Sequence, residues 1–362
     1  MTRPSQALID LAALRQNYLT ARHIYQGRAL AVVKANAYGH GAVECAQALA
    51  DITDGFAVAL MFEALELRQA GISRPILVLE GCFDVQELQE SCAKNIWVAV
   101  HQDSQIDMFA GCQLPSASIH IWLKVDSGMH RAGFALKDVS DAYARLAACP
   151  AVASITLMSH FARADEPNES ATAQQVEAFE RATQHLPGAR SLCNSAGVLA
   201  WPSAKRDWAR PGILLYGANP LPESYIEQHP DQTLLPVMCL QSEVFAVKTL
   251  QPGEALGYGG TFVAEQPTRV GLVALGYADG YPRSAPTGTP VAIDGQLSRL
   301  VGRVSMDMLN VDLTALPETG IGSRVELWGR QIDINTVAQR ANTIAYELLC
   351  NVKRVQRIYT GK

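Results

Sequence analysis

Residues 29–50, ALAVVKANAYGHGAVECAQALA, pass from a short apolar run through a glycine-punctuated turn into AVECAQALA, where apolar residues recur at helical spacing. That is one strand followed by one helix. The alternation continues along the chain. GFAVAL (55–60), PILVLE (75–80), IWVAV (96–100), SIHIWLKV (118–125), SITLMSH (154–160), ARSLCNS (189–195) and KRDWAR (205–210) read as strands, and SATAQQVEAFERATQHL (170–186) as a long helix between two of them. Eight such units predict an α/β protein whose N-terminal part closes into a (β/α)8 barrel of the TIM type. ILLYG (213–217) would also pass as a strand, but Pro211 suits a first helical turn. A helix start there places Arg210 at the carboxyl end of the eighth strand and Gly212 at a helix amino end.

After about residue 230 the texture changes. VMCLQSEVFAVKTL, RVGLVALGYADG, TPVAIDG, QLSRLVGRVSM and SRVELWG are strand-like runs broken by Gly, Pro and Asp turns, which predicts a mainly-β C-terminal domain. The expected division is a barrel over 1–228 and a β-rich domain over 229–362, with ANPLPESYIEQHP (218–230) as linker. Two short helices are expected near the end, capped by Asp333 and Asn342, before a last strand in RVQRIYTG.

The chain has 362 residues, 48% hydrophobic and 18% charged, with a net charge of −5. The apolar fraction excludes disorder, and the missing basic excess argues against nucleic acid as a partner. The 8 cysteines stand singly, with no C-x-x-C pair and no ligand spacing to a histidine, so no metal site is expected and a reducing compartment is. No apolar run approaches the roughly 18 residues of a membrane helix, and Met1–Tyr18 lacks the uncharged core of a signal peptide. The cytoplasm is the expected address.

Lys34 is the first anomaly, a cation ending the apolar run ALAVV. Burial depresses a lysine's pKa toward the range where the free amine attacks carbonyls and forms a Schiff base. The alternative is a stem that snorkels to solvent. AVVKANAYGHG resembles the pyridoxal-phosphate lysine motif of bacterial alanine racemases. The resemblance runs on through HRAGF, MSHFARAD, CNSAG, RPGILLYG, LGYGGTF, GYADGYPR, GRVSMDM and TIAYELL, in the family's order, over essentially the whole chain. That family joins a (β/α)8 barrel to a β domain. One departure is Cys82 in LEGCFDVQEL, where related sequences commonly carry a bulkier residue.

The resemblance implies interconversion of L- and D-alanine by two bases. Lys34, bonded to pyridoxal 5'-phosphate, serves the D-alanine face and Tyr258 the L-alanine face. The cofactor phosphate falls to the amides of Gly212 and Ile213, the Ser195 side chain and the hydroxyls of Tyr38 and Tyr346, with Asn194 lining the pocket. Asn194 and Ser195 also fit simple helix capping. Arg210 would face the pyridine nitrogen, oriented by a hydrogen bond to His160. Arg131 would reach the cofactor's phenolic oxygen and the substrate carboxylate. Lys124 matches a position often carbamylated, and otherwise reads as a strand-end lysine. Met306 and Asp307 would bind substrate, while Tyr277 and Tyr281 would narrow the entrance. In the family the tyrosine base and the SMDM residues come from the other protomer, so the resemblance implies a homodimer with shared sites. A tyrosine's ordinary pKa is about 10, so cationic neighbours must lower it for that task. A broad-spectrum racemase of the same fold is the alternative activity, and biosynthetic or catabolic use would run the same chemistry.

Overall fold

The computed structural model describes residues 3–361. Eight parallel strands form the barrel: Arg28–Val32, Gly55–Val58, Ile76–Val78, Ile96–Val100, Ile119–Asp126, Val152–Met158, Arg190–Ser191 and Trp208–Ala209. Each pairs with the next, and Trp208 opposite Arg28 closes the ring. The last two strands are only two residues long. Asn194 ends the seventh early by capping the helix Ser195–Ala200, its side chain accepting from Gly197 N–H at 2.9 Å. After the eighth, ILLY winds as a 3-10 turn, Ile213–Tyr216, with Gly212 at its amino end, as the sequence predicts.

Trp97, Trp122 and Trp208 fill the amino end of the barrel, with ring centroids 5.7–6.1 Å apart. The Arg28 guanidinium lies 4.2 Å over Trp208 and covers them. That plug leaves chemistry to the opposite, carboxyl end of the strands, as in barrels generally.

In the C-terminal unit the long strand Met238–Leu250 pairs antiparallel with Arg324–Trp328 and Thr268–Val273. Here the expected division needs correcting. Gln6–Asp10 belongs to this sheet rather than to the barrel, lying between Met238–Leu250 and the last strand, Gln356–Thr360. Its alternation buries Ala7 and Ile9 in the β core. Asp10 then caps the helix Leu11–Tyr25, accepting from Ala13 N–H at 3.0 Å. That helix returns to the barrel, where the Tyr18 hydroxyl donates to Ala29 O at 2.9 Å. The chain therefore crosses between the units twice, which ties one to the other.

Two smaller expectations also change. The 218–230 segment contains the helix Glu223–Gln228, over which Tyr225 and His229 stack at 4.0 Å. Asp333 caps its helix, but Asn342 lies outside the next one, at φ 55°, and Ile344 occupies that cap position. Among the described residues no helix is long and apolar enough to cross a membrane, and no cluster has the make-up of a metal site.

Candidate active site

Lys34, Lys124, His160, Asn194, Ser195, Arg210 and Gly212 all come from the carboxyl ends of barrel strands or the turns just after them. Lys34 opens an unusual segment. Ala35, Asn36, Ala37 and Tyr38 have φ of 52°, 55°, 52° and 51°, a turn of left-handed helix. Each such residue other than glycine costs roughly 1–2 kcal/mol. The surroundings offset this with hydrogen bonds. Glu63 Oε1 accepts from Ala35 N–H at 2.6 Å, Asn36 Oδ1 from Ala42 N–H at 2.8 Å, and Gly39 O from Arg357 Nε at 2.7 Å. His40, fully buried, places Nδ1 at 2.9 Å from both Ala37 O and Tyr38 O.

The turn aims Tyr38 across the barrel mouth toward Gly212. A Cβ on Gly212 would collide with the Tyr38 hydroxyl, so this glycine is set by close approach; its own φ of −121° suits any residue. Ser195 Oγ accepts from Gly212 N–H at 2.9 Å, and the Ile213 amide meets no acceptor among the described residues. Tyr346 approaches from the C-terminal unit of the same chain. Its ring centroid is 6.0 Å from that of Tyr38, on a helix, Ala345–Cys350, whose Leu349 carbonyl packs against Gly39. Backbone amides and phenol hydroxyls therefore converge where an anionic group can lie against neutral donors.

Arg210 is only 4% exposed and is held rigidly. Its guanidinium donates to Ser159 O at 2.6 Å, to Leu192 O at 3.4 Å and to Ser191 Oγ. Burial lowers its pKa to about 10, so it stays charged near neutrality. The expected hydrogen bond to His160 is absent among the described residues; backbone carbonyls and a serine orient Arg210 instead. His160 stands among the same cations. Burial first, then the charges of Arg210, Arg131, Lys124 and Lys34, hold its ring neutral. Burial and Arg131 lower the pKa of Lys34, and burial with Arg131, Arg210 and Lys34 brings Lys124 down to about 8. Arg131 is exposed and makes no ion pair among the described residues. Four cationic side chains thus face one space with no carboxylate directly bonded to them among the described residues, which is the electrostatic form of an anion site. A phosphorylated, electron-poor carbonyl cofactor fits both the donors and the amine.

The C-terminal residues divide. Tyr258 is 67% exposed in this chain, on a hairpin whose strands Ala255–Leu256 and Phe262–Val263 pair only with each other. No hydrogen bond or ring contact joins it to the barrel residues described here. Met306 and Tyr277 are also exposed. Tyr281 is not at an entrance: it is 1% exposed and stacks on Trp328 at 5.9 Å, inside the β core. Its apolar packing outweighs the hydroxyl, which has no partner there.

Asp279, fully buried, explains why the Tyr277 and Met306 loops hold their shape. It receives both prongs of Arg3 at 2.7 and 2.8 Å and accepts from Gly276 N–H at 2.8 Å. Arg3 also donates to Asp307 O at 2.6 Å, and Arg354 bridges to the Asp307 carboxylate at 2.8 Å. Sequence reading missed Asp279, Ser159, Ser191, Glu63 and His40. Only the buried polar residues within apolar or glycine-rich runs hinted at them.

Burial brings the pKa of His40 from 6.5 down to about 4. The unfolded chain therefore binds the extra proton first, and stability is lost as pH falls from about 6.5 toward 4. His40 alone should remove about 2 kcal/mol between pH 7 and pH 5. Urea unfolding of the wild type and His40→Asn at both pH values checks this, since the variant should lose that much less.

Comparison with known proteins agrees with this geometry. The alanine racemase N-terminal domain model matches residues 9–220 and the alanine racemase C-terminal domain model residues 237–359. A curated alanine racemase of Azoarcus sp. strain BH72 is 62% identical over 359 residues, covering 99% of this chain and 100% of the relative. The crystal structure of the biosynthetic alanine racemase from Pseudomonas aeruginosa superposes with a TM-score of 0.95 at 46% identity, covering 99% of this chain and 100% of the other. An alanine racemase from Bartonella henselae, described with covalently bound pyridoxal phosphate, gives 0.88 at 30% identity, with 99% of each chain covered. With both domain models matched in order and a barrel mouth built around a lysine, this chain belongs to the alanine racemase family.

Proposed function

We propose that this chain interconverts L- and D-alanine with pyridoxal phosphate held at the barrel mouth and Lys34 as its covalent anchor. The observation that carries this reading is a lysine of lowered pKa beside a cradle of neutral donors, among cations to which no carboxylate is directly bonded among the described residues. The cofactor, when bound, supplies an electron sink that acidifies the α-hydrogen of an amino acid joined to it.

The chain's residues do the rest. Gly212 and Ile213 amides, Ser195 and the hydroxyls of Tyr38 and Tyr346 hold the phosphate, with Asn194 at the pocket wall. Arg210 is charged and can only donate, and its Nε has no partner among the described residues, so a pyridine nitrogen held against it would accept and stay unprotonated. Such a partner would weaken the sink the cofactor supplies and favour prompt return of a proton to the α-carbon. Neutral His160 stands beside Arg210 without adding charge. Arg131, a forked donor without an internal partner, takes the phenolic oxygen and the substrate carboxylate. Carbamylation of Lys124, whose pKa lies near 8, would place an anion among these cations.

Racemisation needs a proton carrier on each face of the α-carbon. Lys34 serves the D-alanine face, and Tyr258 of a partner subunit the L-alanine face. Met306 and Asp307 of that subunit border the substrate, and Tyr277 narrows the approach. Exposed Tyr258, Val263, Met306, Met308 and Ile344 give one chain an apolar surface suited to such a partner. Single, unpaired cysteines support a cytoplasmic setting.

The test is incubation with L-alanine in deuterated water. The expected result is a mixture of both enantiomers carrying deuterium at the α-carbon, with L-lysine and L-serine turning over far more slowly. Equal rates on lysine would replace this reading with a broad-spectrum racemase. Gly212→Ala tests the cradle. The added methyl displaces the Tyr38 hydroxyl, so cofactor retention should weaken by about tenfold, measured by equilibrium dialysis.

A further inference from the structure

We propose that His40 is a positioning residue whose Nδ1–H clamps the left-handed turn and thereby aims Lys34 and Tyr38 at one ligand. The proposal rests on the reading of Lys34 as the cofactor's anchor and extends it to a residue with no contact to the cofactor.

Carbonyl oxygens only accept hydrogen bonds. An Nδ1 lying 2.9 Å from both Ala37 O and Tyr38 O must therefore carry the proton. Nε2 is then a bare lone pair, buried and without a partner. One nitrogen does all the polar work, and the ring is fixed by stacking on Tyr216 at 4.6 Å. Tyr216 is itself anchored, its hydroxyl donating to Val32 O at 2.8 Å, on the strand that leads into Lys34. Ala37 O has a second donor in the His40 backbone N–H at 3.0 Å, but no other donor reaches Tyr38 O among the described residues. Removing the Nδ1–H leaves that carbonyl buried and unsatisfied in a segment already strained at four successive positions. The turn then has reason to rewind, and the first residues to move are those holding the amine and the phenol.

The geometry distinguishes this role from packing. Asparagine places an amide donor near the Nδ1 position, whereas glutamine places it near Nε2, where nothing accepts. Release of pyridoxal phosphate from holoenzyme, followed by loss of its visible absorbance on dilution, should be about tenfold faster for His40→Leu and His40→Gln. His40→Asn should release it within about threefold of the wild-type rate. Equal acceleration in all three variants, or none in His40→Leu, overturns the proposal. Should the variants not fold, histidine-labelled 15N spectra of the wild type decide: a neutral ring protonated at Nδ1 is expected, and one protonated at Nε2 overturns it. Borohydride reduction and peptide mapping of wild type test Lys34 separately, so failure of that reading is seen independently of the His40 comparison.

Discussion

Lys34→Ala will leave a protein that folds, takes up no stable yellow colour from pyridoxal phosphate, and racemises alanine at least about 1,000-fold more slowly than wild type. Two functions disappear with one side chain: the covalent tether and the proton carrier on one face of the substrate. The barrel itself should not suffer. An ammonium buried close to Arg131 and Lys124 opposes folding, as the lowering of Lys34's pKa by burial and by Arg131 records. Removing it should leave the melting temperature of the cofactor-free protein unchanged or higher, a case of stability traded for activity. Absorbance, chiral assay and thermal unfolding check the three parts. A variant that still racemises at a tenth of the wild-type rate would remove Lys34 from the mechanism.

Tyr258→Phe should abolish racemisation just as thoroughly, but with the opposite signature. Its cofactor should stay bound, and D-alanine should still exchange its α-hydrogen with deuterated solvent, because Lys34 can remove and return a proton on its own face. Tyr258 is 67% exposed in one chain, so a solitary subunit offers its phenol no site. Mixing the two inactive variants tests that point sharply. If sites are shared, a dimer of one Lys34→Ala chain and one Tyr258→Phe chain contains one wholly wild-type site. Random reassortment makes half the dimers mixed, so about a quarter of wild-type activity should return. If each chain completes its own site, mixing restores nothing.

These expectations differ in what made them legible. Lys34 was visible as a charge ending an apolar strand, and Arg210 and Gly212 as the residues around Pro211 where a strand meets a helix. The structure keeps each at the barrel mouth because a βα unit has only one place to put its turn. Tyr281 was misplaced for the converse reason: GYADGYPR contains two tyrosines in a turn, and local sequence cannot say which faces the β core. Packing against Trp328 decided it. The Arg210 partner was misread in the same way. Ser159 and Ser191 lie far from it in sequence and meet it only when strands six to eight close on one another.

Sequence by itself determined the strand–helix alternation, the eight-unit barrel, the β-rich second unit and the chemical types gathered at the mouth, because periodicity and glycine or proline punctuation act over a few neighbouring residues. Tertiary structure alone decided that Gln6–Asp10 joins the second sheet, that Asp279 locks two distant loops, and that Lys34 leads into a left-handed turn. Each of these depends on contacts across most of the chain, whose burial and hydrogen bonding override what five residues prefer in isolation.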